Sequence, residues 1–240
     1  MILEVCAASF ESAKNAEQSG ADRIELCSEL VLGGITPSYG LLKKVADELS
    51  IPAHILIRPR SGNFTYDNEE FEVMKRDILL CKELGFDGIV SGLLNKDLTL
   101  DIDRTRVLIE LAAPLSFTFH RAFDWVPDPL KTIEQLIGIN ADRILSSGQE
   151  DKAIKGLGLL KRMLKQSADR ISILPGGGIN ADNISIFRDS GFKEAHFSAS
   201  SIKKTSAYSN LPMNDCINFS EDELRYSDME KIRAICDLVK

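Results

Sequence analysis

The sequence predicts an α/β protein of the (β/α)8 TIM-barrel type, built as a single domain over residues 1–240. Two observations carry that expectation. The first is a recurring segment: GADRIELC (20–27), GFDGIVSG (85–92), NADRILSSG (140–148), SADRISILPGGG (167–178) and GFKEAHFSAS (191–200). Each closes a helix on a small residue, turns through charged residues and enters a short apolar strand ending in Gly, Ser or Cys, and such a repeated unit determines the fold. The second is the count. Strands fall near 2–6, 23–27, 53–58, 88–92, 115–120, 143–147, 171–175 and 194–199, with helical patterns between them, and eight is the barrel's number. A doubly wound sheet alternates in the same way, but no GxGxxG follows the first strand.

The connecting elements follow from local chemistry. The glycines that end the helices before several strands suit a left-handed C-cap. Thr36-Pro37 and Asp128-Pro129 each read as an N-cap followed by proline at the first helical position. EEFEVMKRDILLCKELG (69–85) places Phe71, Met74, Ile78, Leu79 and Cys81 on one helical face, a packing pattern rather than a chemical one. Only 203–228 breaks the rhythm. It reads as an irregular loop between strand eight and the last helix, a lid over the barrel mouth or surface decoration, with Cys216 an incidental thiol.

Composition narrows the function. A net charge of −7 and a pI near 5.1 argue against a nucleic-acid or anionic-membrane binder. No stretch approaches the roughly 20 apolar residues of a membrane span. Five cysteines without a CxxC pair make neither a disulfide framework nor a zinc ribbon, which points to a reducing cytoplasm and free thiols.

Strand parity then sorts the side chains. Leu3/Val5, Ile24/Leu26, Ile55/Ile57 and Phe117/Phe119 are expected to face the helices. The opposite parity sends Glu4, Cys6, Glu25, Cys27, His54, Leu56, Arg58, Ser116, Thr118, His120, His196 and Ser198 into the lumen, so all three histidines point inward. His54 and His196 come early in their strands and read as hydrogen-bonded core histidines near the bottom face. Cys6, Cys27, Arg58, Arg60 and His120 come late, at the mouth where barrel sites lie. Glu4 and Glu25 sit a layer beneath, with Arg58, Arg60 and Arg121 available as partners, either as a structural ion-pair network or as acid–base machinery.

Two further features stand out. LPGGGINADNIS (174–185) is a glycine run ahead of a helix, which reads as a phosphate cradle beside Ser198 or as a tight turn. Cys6 and Cys27 end adjacent strands at equal height. Two neighbouring thiolates suit Cu(I), and two buried cysteines also serve simply as small apolar side chains.

Together LEVCAASFESAKNAEQSGADRIELCSELVLGGITPSYG (3–40), ILIRPRSGNFTY (55–66), FTFHRAFD (117–124), DRILSSG (142–148) and LPGGGINADN (174–183) resemble the CutC family through about residue 200. The resemblance implies a cytoplasmic barrel that forms a homo-oligomer, dimer or tetramer, and takes its name from copper homeostasis. It implies Cys6 and Cys27 as Cu(I) ligands. The alternative is a barrel enzyme, isomerase- or lyase-like, acting on a small phosphorylated or anionic metabolite. In that reading Gly176, Gly177, Gly178 and Ser198 seat the anion, Arg58, Arg60 and Arg121 balance its charge, and Glu25 and His120 move protons beside Arg58. The expected partners are therefore a copper ion, a small anion, or both.

Overall fold

The computed structural model describes residues 1–205 and 220–240; Cys216 lies outside them. Eight parallel strands form one sheet: β1 (Ile2–Ala7), β2 (Arg23–Leu26), β3 (Ala53–Leu56), β4 (Gly88–Ser91), β5 (Ser116–Phe119), β6 (Arg143–Ser146), β7 (Ser172–Pro175) and β8 (Glu194–Phe197). Neighbours follow chain order and β8 returns to lie beside β1. The last seam, between β7 and β8, is closed by a single parallel bridge from Gly176 to His196. The barrel expectation holds, strand for strand.

Helices α1 (Phe10–Gln18), α2 (Tyr39–Glu48), α3 (Asn68–Glu83), α4 (Ile102–Ala112), α5 (Pro129–Gly138), α6 (Leu157–Ser167) and α7 (Ile184–Asp189) alternate with the strands, and α8 (Met229–Val239) follows the last. Leu3, Val5, Ile24, Leu26, Ile55, Ile57, Phe117 and Phe119 are all buried in the layer between sheet and helices. Each such side chain contributes about 1.5–3 kcal/mol through the area it removes from water.

The recurring segment has a physical explanation. Its aspartate reaches sideways to the preceding strand: Asp22 Oδ2 accepts the Leu3 N–H at 2.8 Å, Asp87 Oδ2 accepts that of Ala53 at 2.9 Å, and Asp142 Oδ2 accepts that of Phe117 at 2.7 Å. The same three aspartates return their own N–H groups to the carbonyls of Leu3, Ala53 and Phe117. Each even-numbered turn thus fixes the register of the odd strand before it, satisfying backbone groups at the foot of the sheet. The residue ahead of each of these turns carries the left-handed backbone a helix end needs: Gly20 at φ 84°, Gly85 at φ 78° and Asn140 at φ 61°.

Three local expectations need correction. α2 begins at Tyr39, capped by Ser38, whose hydroxyl accepts the Leu41 N–H. Thr36 instead uses its Oγ1 to accept the Arg58 N–H at 2.9 Å, tying the loop after β2 to the end of β3. On α3, Met74, Ile78 and Cys81 are buried but Leu79 is exposed, because its direction falls outside the stripe that meets the sheet. The stretch expected as an irregular loop is ordered at both ends: β9 (Ser200–Lys204) pairs antiparallel with β10 (Glu223–Ser227). That hairpin is anchored to the barrel where the Ser227 N–H donates to Ser12 Oγ and the Ser227 hydroxyl donates to the Cys6 carbonyl.

Candidate functional site

The lumen is stacked in layers. At the bottom, Arg23 enters from the first residue of β2 and its Nε donates to Glu4 Oε2 at 2.5 Å, while its Nη2 donates to Glu194 Oε2 at 2.6 Å. Arg143 Nε reaches the same Glu194 oxygen at 2.8 Å, and its Nη1 donates to the hydroxyls of Ser116 and Thr118. Burial alone would raise the Glu4 pKa, but the hydrogen bond with His196 and the charge of Arg23 outweigh it and hold the carboxyl well below its usual range. Arg58, Arg60 and Arg121 were the expected partners of the buried carboxylates. Arg23 and Arg143 take that role because they enter at strand starts, level with the acids. His54 sits in this region as expected, and burial lowers its pKa to about 4.

His196 departs from its expected place as a bottom-face histidine. The β1–β8 register pairs it with Glu4, two residues before Cys6 on the same face of β1, and its ring lines the cavity at the mouth. Its Nδ1 lies 2.7 Å from Glu4 Oε1 and 3.7 Å from Glu25 Oε2, and the ring is within hydrogen-bonding reach of the Cys6 thiol. Burial would lower its pKa, but Cys6, Glu4 and Glu25 together raise it well above the ordinary imidazole value. Glu25 behaves in the opposite way to Glu4: burial, reinforced by the charge of Glu4, pushes its carboxyl up to about 7.

Above this layer Cys6 Sγ and Cys27 Sγ lie 3.7 Å apart, both buried, with Leu56 and Val90 packed beside them. The hydrogen bond with Cys27, then burial, raises the Cys6 thiol well above its usual pKa. The loop after β2 presses down on the pair. Gly34 has φ 84°, and a Cβ there would lie 2.7 Å from Leu56 Cδ2 and 3.3 Å from Cys27 Cβ.

Over the cysteines opens a cavity of about 310 Å³. Of the residues expected at the mouth, Cys6, Glu25, Arg58, His120, Arg121, Gly177, Gly178 and Ser198 line it. Arg58 is buried and donates from Nη1 to the carbonyls of Leu32 and Gly34 and from Nη2 to that of Gly62. His120 Nδ1 accepts the Ala122 N–H at 3.1 Å, and burial, then the charge of Arg58, lowers its pKa to about 3. Arg121 stands at the rim, its Nε donating to Asp124 Oδ2 at 2.8 Å and its Nη2 to Ser147 Oγ at 2.7 Å. Phe64 connects the upper parts: its ring lies 4.9 Å from that of His120, 4.8 Å from that of Trp125 and 5.1 Å from the Arg58 guanidinium.

Three expected site residues are not among the cavity lining; Cys27 is fully buried behind Cys6 and beneath the loop at Gly34. Arg60 turns away once β3 has ended, pairing with Glu70 at the start of α3 and stacking on Tyr66. Gly176 closes the wall, and a Cβ there would sit 2.5 Å from Leu145 Cδ1 and 3.2 Å from His196 Cδ2. The glycine run also does not open directly into a helix, since α7 starts only at Ile184 and has six residues. Gly177 has φ 107° and Gly178 φ 73°, so the turn itself accounts for the glycines there.

Among the described residues, one trio has donor atoms close enough for a metal ion: Glu4, Glu25 and His196. Glu4 is already held by Arg23 on one oxygen and His196 on the other, so this trio is a charge network first. No helix among the described residues is long and apolar enough to cross a membrane.

Comparison with known proteins agrees with this architecture. The profile described as the CutC family matches residues 1–201. A human protein named copper homeostasis protein cutC homolog is 43% identical, covering 100% of this chain and 89% of its own length. A CutC family protein from Parabacteroides distasonis is 45% identical over 97% of this chain and 98% of its own. The crystal structure of a copper homeostasis protein CutC from Streptococcus agalactiae superposes with a TM-score of 0.79 at 34% identity, covering 82% of this chain and 98% of that one. With eight strands, two facing cysteines and this degree of identity, the chain belongs to the CutC family.

Proposed function

We propose that the chain binds Cu(I) through Cys6 and Cys27 as part of copper homeostasis. The observation that carries this reading is the 3.7 Å separation of two buried sulfurs, of which Cys6 lines the cavity. Two metal–thiolate bonds of about 2.3 Å each, the length known for zinc, span that gap with a single ion. Thiolates are soft donors and favour Cu(I) over Mg²⁺ or Ca²⁺. The relatives' name points to the same metal. Both thiols must lose their protons on binding, and His196, beside Cys6 and backed by Glu4 and Glu25, orients the sulfur from the layer beneath. The acid–base alternative has no comparable support from the relatives.

An anaerobic Cu(I) titration against a chromophoric chelator tests the proposal, with Zn²⁺ run in parallel. One-to-one Cu(I) binding that disappears in Cys6→Ser/Cys27→Ser, with thermal unfolding preserved, is the expected result. Binding indifferent to the double substitution, or tighter for zinc than for copper, would overturn it.

A further inference from the structure

We infer that the cavity above the cysteines binds a small hydroxylated organic anion, a hydroxy acid or a hydroxyl-bearing phosphate ester, with Arg58 as its counter-charge. The inference stands apart from the copper reading and rests on four observations.

First, Arg58 is 6% exposed and no ion pair joins it to a carboxylate among the described residues; its guanidinium donates to three backbone carbonyls, lies against the face of Phe64 and neighbours the Tyr66 phenol, none of which carries a counter-charge. A buried charge without a counter-ion is costly, and proteins ordinarily pair it. The molecule does so elsewhere: Arg23 and Arg143, also deep in the barrel, both hold carboxylates. Arg58 alone of the three faces the cavity.

Second, two donors beside this charge lack acceptors. Arg58 Nε is buried without a hydrogen-bond partner, and so is His120 Nε2. Because His120 Nδ1 accepts the Ala122 N–H, the proton of the neutral ring lies on Nε2, which makes it a donor. Phe64 lies against both groups, so the anion reaches them by displacing that ring.

Third, the deep end has the complementary orphan. Glu25 Oε2 is buried without a hydrogen-bond partner. An acceptor there and donors near Arg58 match a ligand with an oxyanion at one end and a hydroxyl at the other.

Fourth, size and lining agree. About 310 Å³ lies at the small end of ordinary ligand cavities. Leu30, Leu56, Leu145 and Ile179 supply an apolar wall for a short carbon chain, and Ser198 adds a hydroxyl.

Isothermal titration of the metal-free protein with lactate, glycerol 3-phosphate and inorganic phosphate tests this, with uncharged glycerol as the control. The expected result is saturable one-to-one binding of lactate or glycerol 3-phosphate, tighter than about 1 mM, the upper end of the usual metabolite range. Inorganic phosphate is expected to bind more weakly and glycerol not at all. Arg58→Met should weaken binding about 10- to 100-fold, as loss of a charged hydrogen-bond partner does. Arg58 also holds the 32–34 loop, so His120→Phe, which keeps a ring and removes the donor, serves as the second variant and should weaken binding about 10-fold. No saturable binding of either hydroxylated anion, or equal affinity in wild type and in a folded His120→Phe, would overturn the inference. The metal-free assay leaves the copper titration unaffected, so the two readings fail separately.

Discussion

Gly92 offers the His120 ring a bare backbone: a Cβ added there would lie 2.6 Å from Nδ1 and 2.7 Å from Cε1. The same relation holds twice more in the lumen. Gly88 lies under His54, where a Cβ would meet the ring at 2.5 Å, and Gly176 lies against His196, where it would meet Cδ2 at 3.2 Å. Every imidazole in the barrel therefore occupies space yielded by a glycine on a neighbouring part of the sheet. Gly92→Ala should destabilise the fold by about 1–3 kcal/mol through overpacking. Urea unfolding of Gly92→Ala, His120→Ala and the double variant should show a coupling above about 0.5 kcal/mol, since removing the ring relieves the clash.

Copper affinity should rise with pH. The Cys6 thiol titrates well above its ordinary value because of its hydrogen bond with Cys27 and its burial, so it is protonated in the metal-free protein near neutrality. Each proton displaced by the metal adds about a tenfold gain in affinity per pH unit below that pKa. Competition titrations at pH 6, 7 and 8 measure the slope. His196→Gln should cost about 10- to 100-fold in Cu(I) affinity, the usual effect of losing a group that orients a metal ligand.

Arg23→Ala should be far more damaging than a surface substitution, by about 3–5 kcal/mol, because it leaves Glu4 and Glu194 buried without their shared cation. Chemical denaturation should also show that Glu4→Gln/Arg23→Met loses less than Arg23→Ala alone, since Glu4 then carries no charge and Glu194 keeps Arg143.

Acid should weaken the fold through His54 and His120. Burial depresses their folded pKa values to about 4 and about 3. The unfolded chain takes up these protons from about pH 6.5 downward while the folded chain does not, so stability is full above 6.5 and falls towards pH 4. The loss by pH 5 is about 2 kcal/mol per imidazole. Glu25 acts in the opposite direction: its pKa is raised to about 7, so its contribution is full below the unfolded value of 4.5 and is lost as pH rises to 7. Urea melts of wild type and His54→Gln at pH 7.5, 6 and 5 should show a flatter pH dependence in the variant.

The barrel was legible because period-two alternation and the Asp-bearing turn are local signals that repeat. Parity also placed Cys6, Cys27, Glu25, Arg58 and His120 in the lumen, since each lies on or just beyond a strand whose apolar partners face the helices. Arg23 was missed because ADR reads as a charged turn; only the register of β1, β2 and β8 shows that its side chain runs inward between two acids from distant parts of the chain. His196 was assigned too deep a place because position within a strand does not tell how far that strand is staggered against its neighbour. Arg60 was assigned inward by extending the β3 parity past its end, where Pro59 and the following turn redirect the chain.

Phe64 touches the sole tryptophan on one side and the groups around Arg58 on the other. That chain of contacts gives the protein an intrinsic optical reporter. Whatever displaces Phe64 alters the packing of a half-exposed indole, and selective excitation of Trp125 then registers events in the cavity through a shift in emission, without a label.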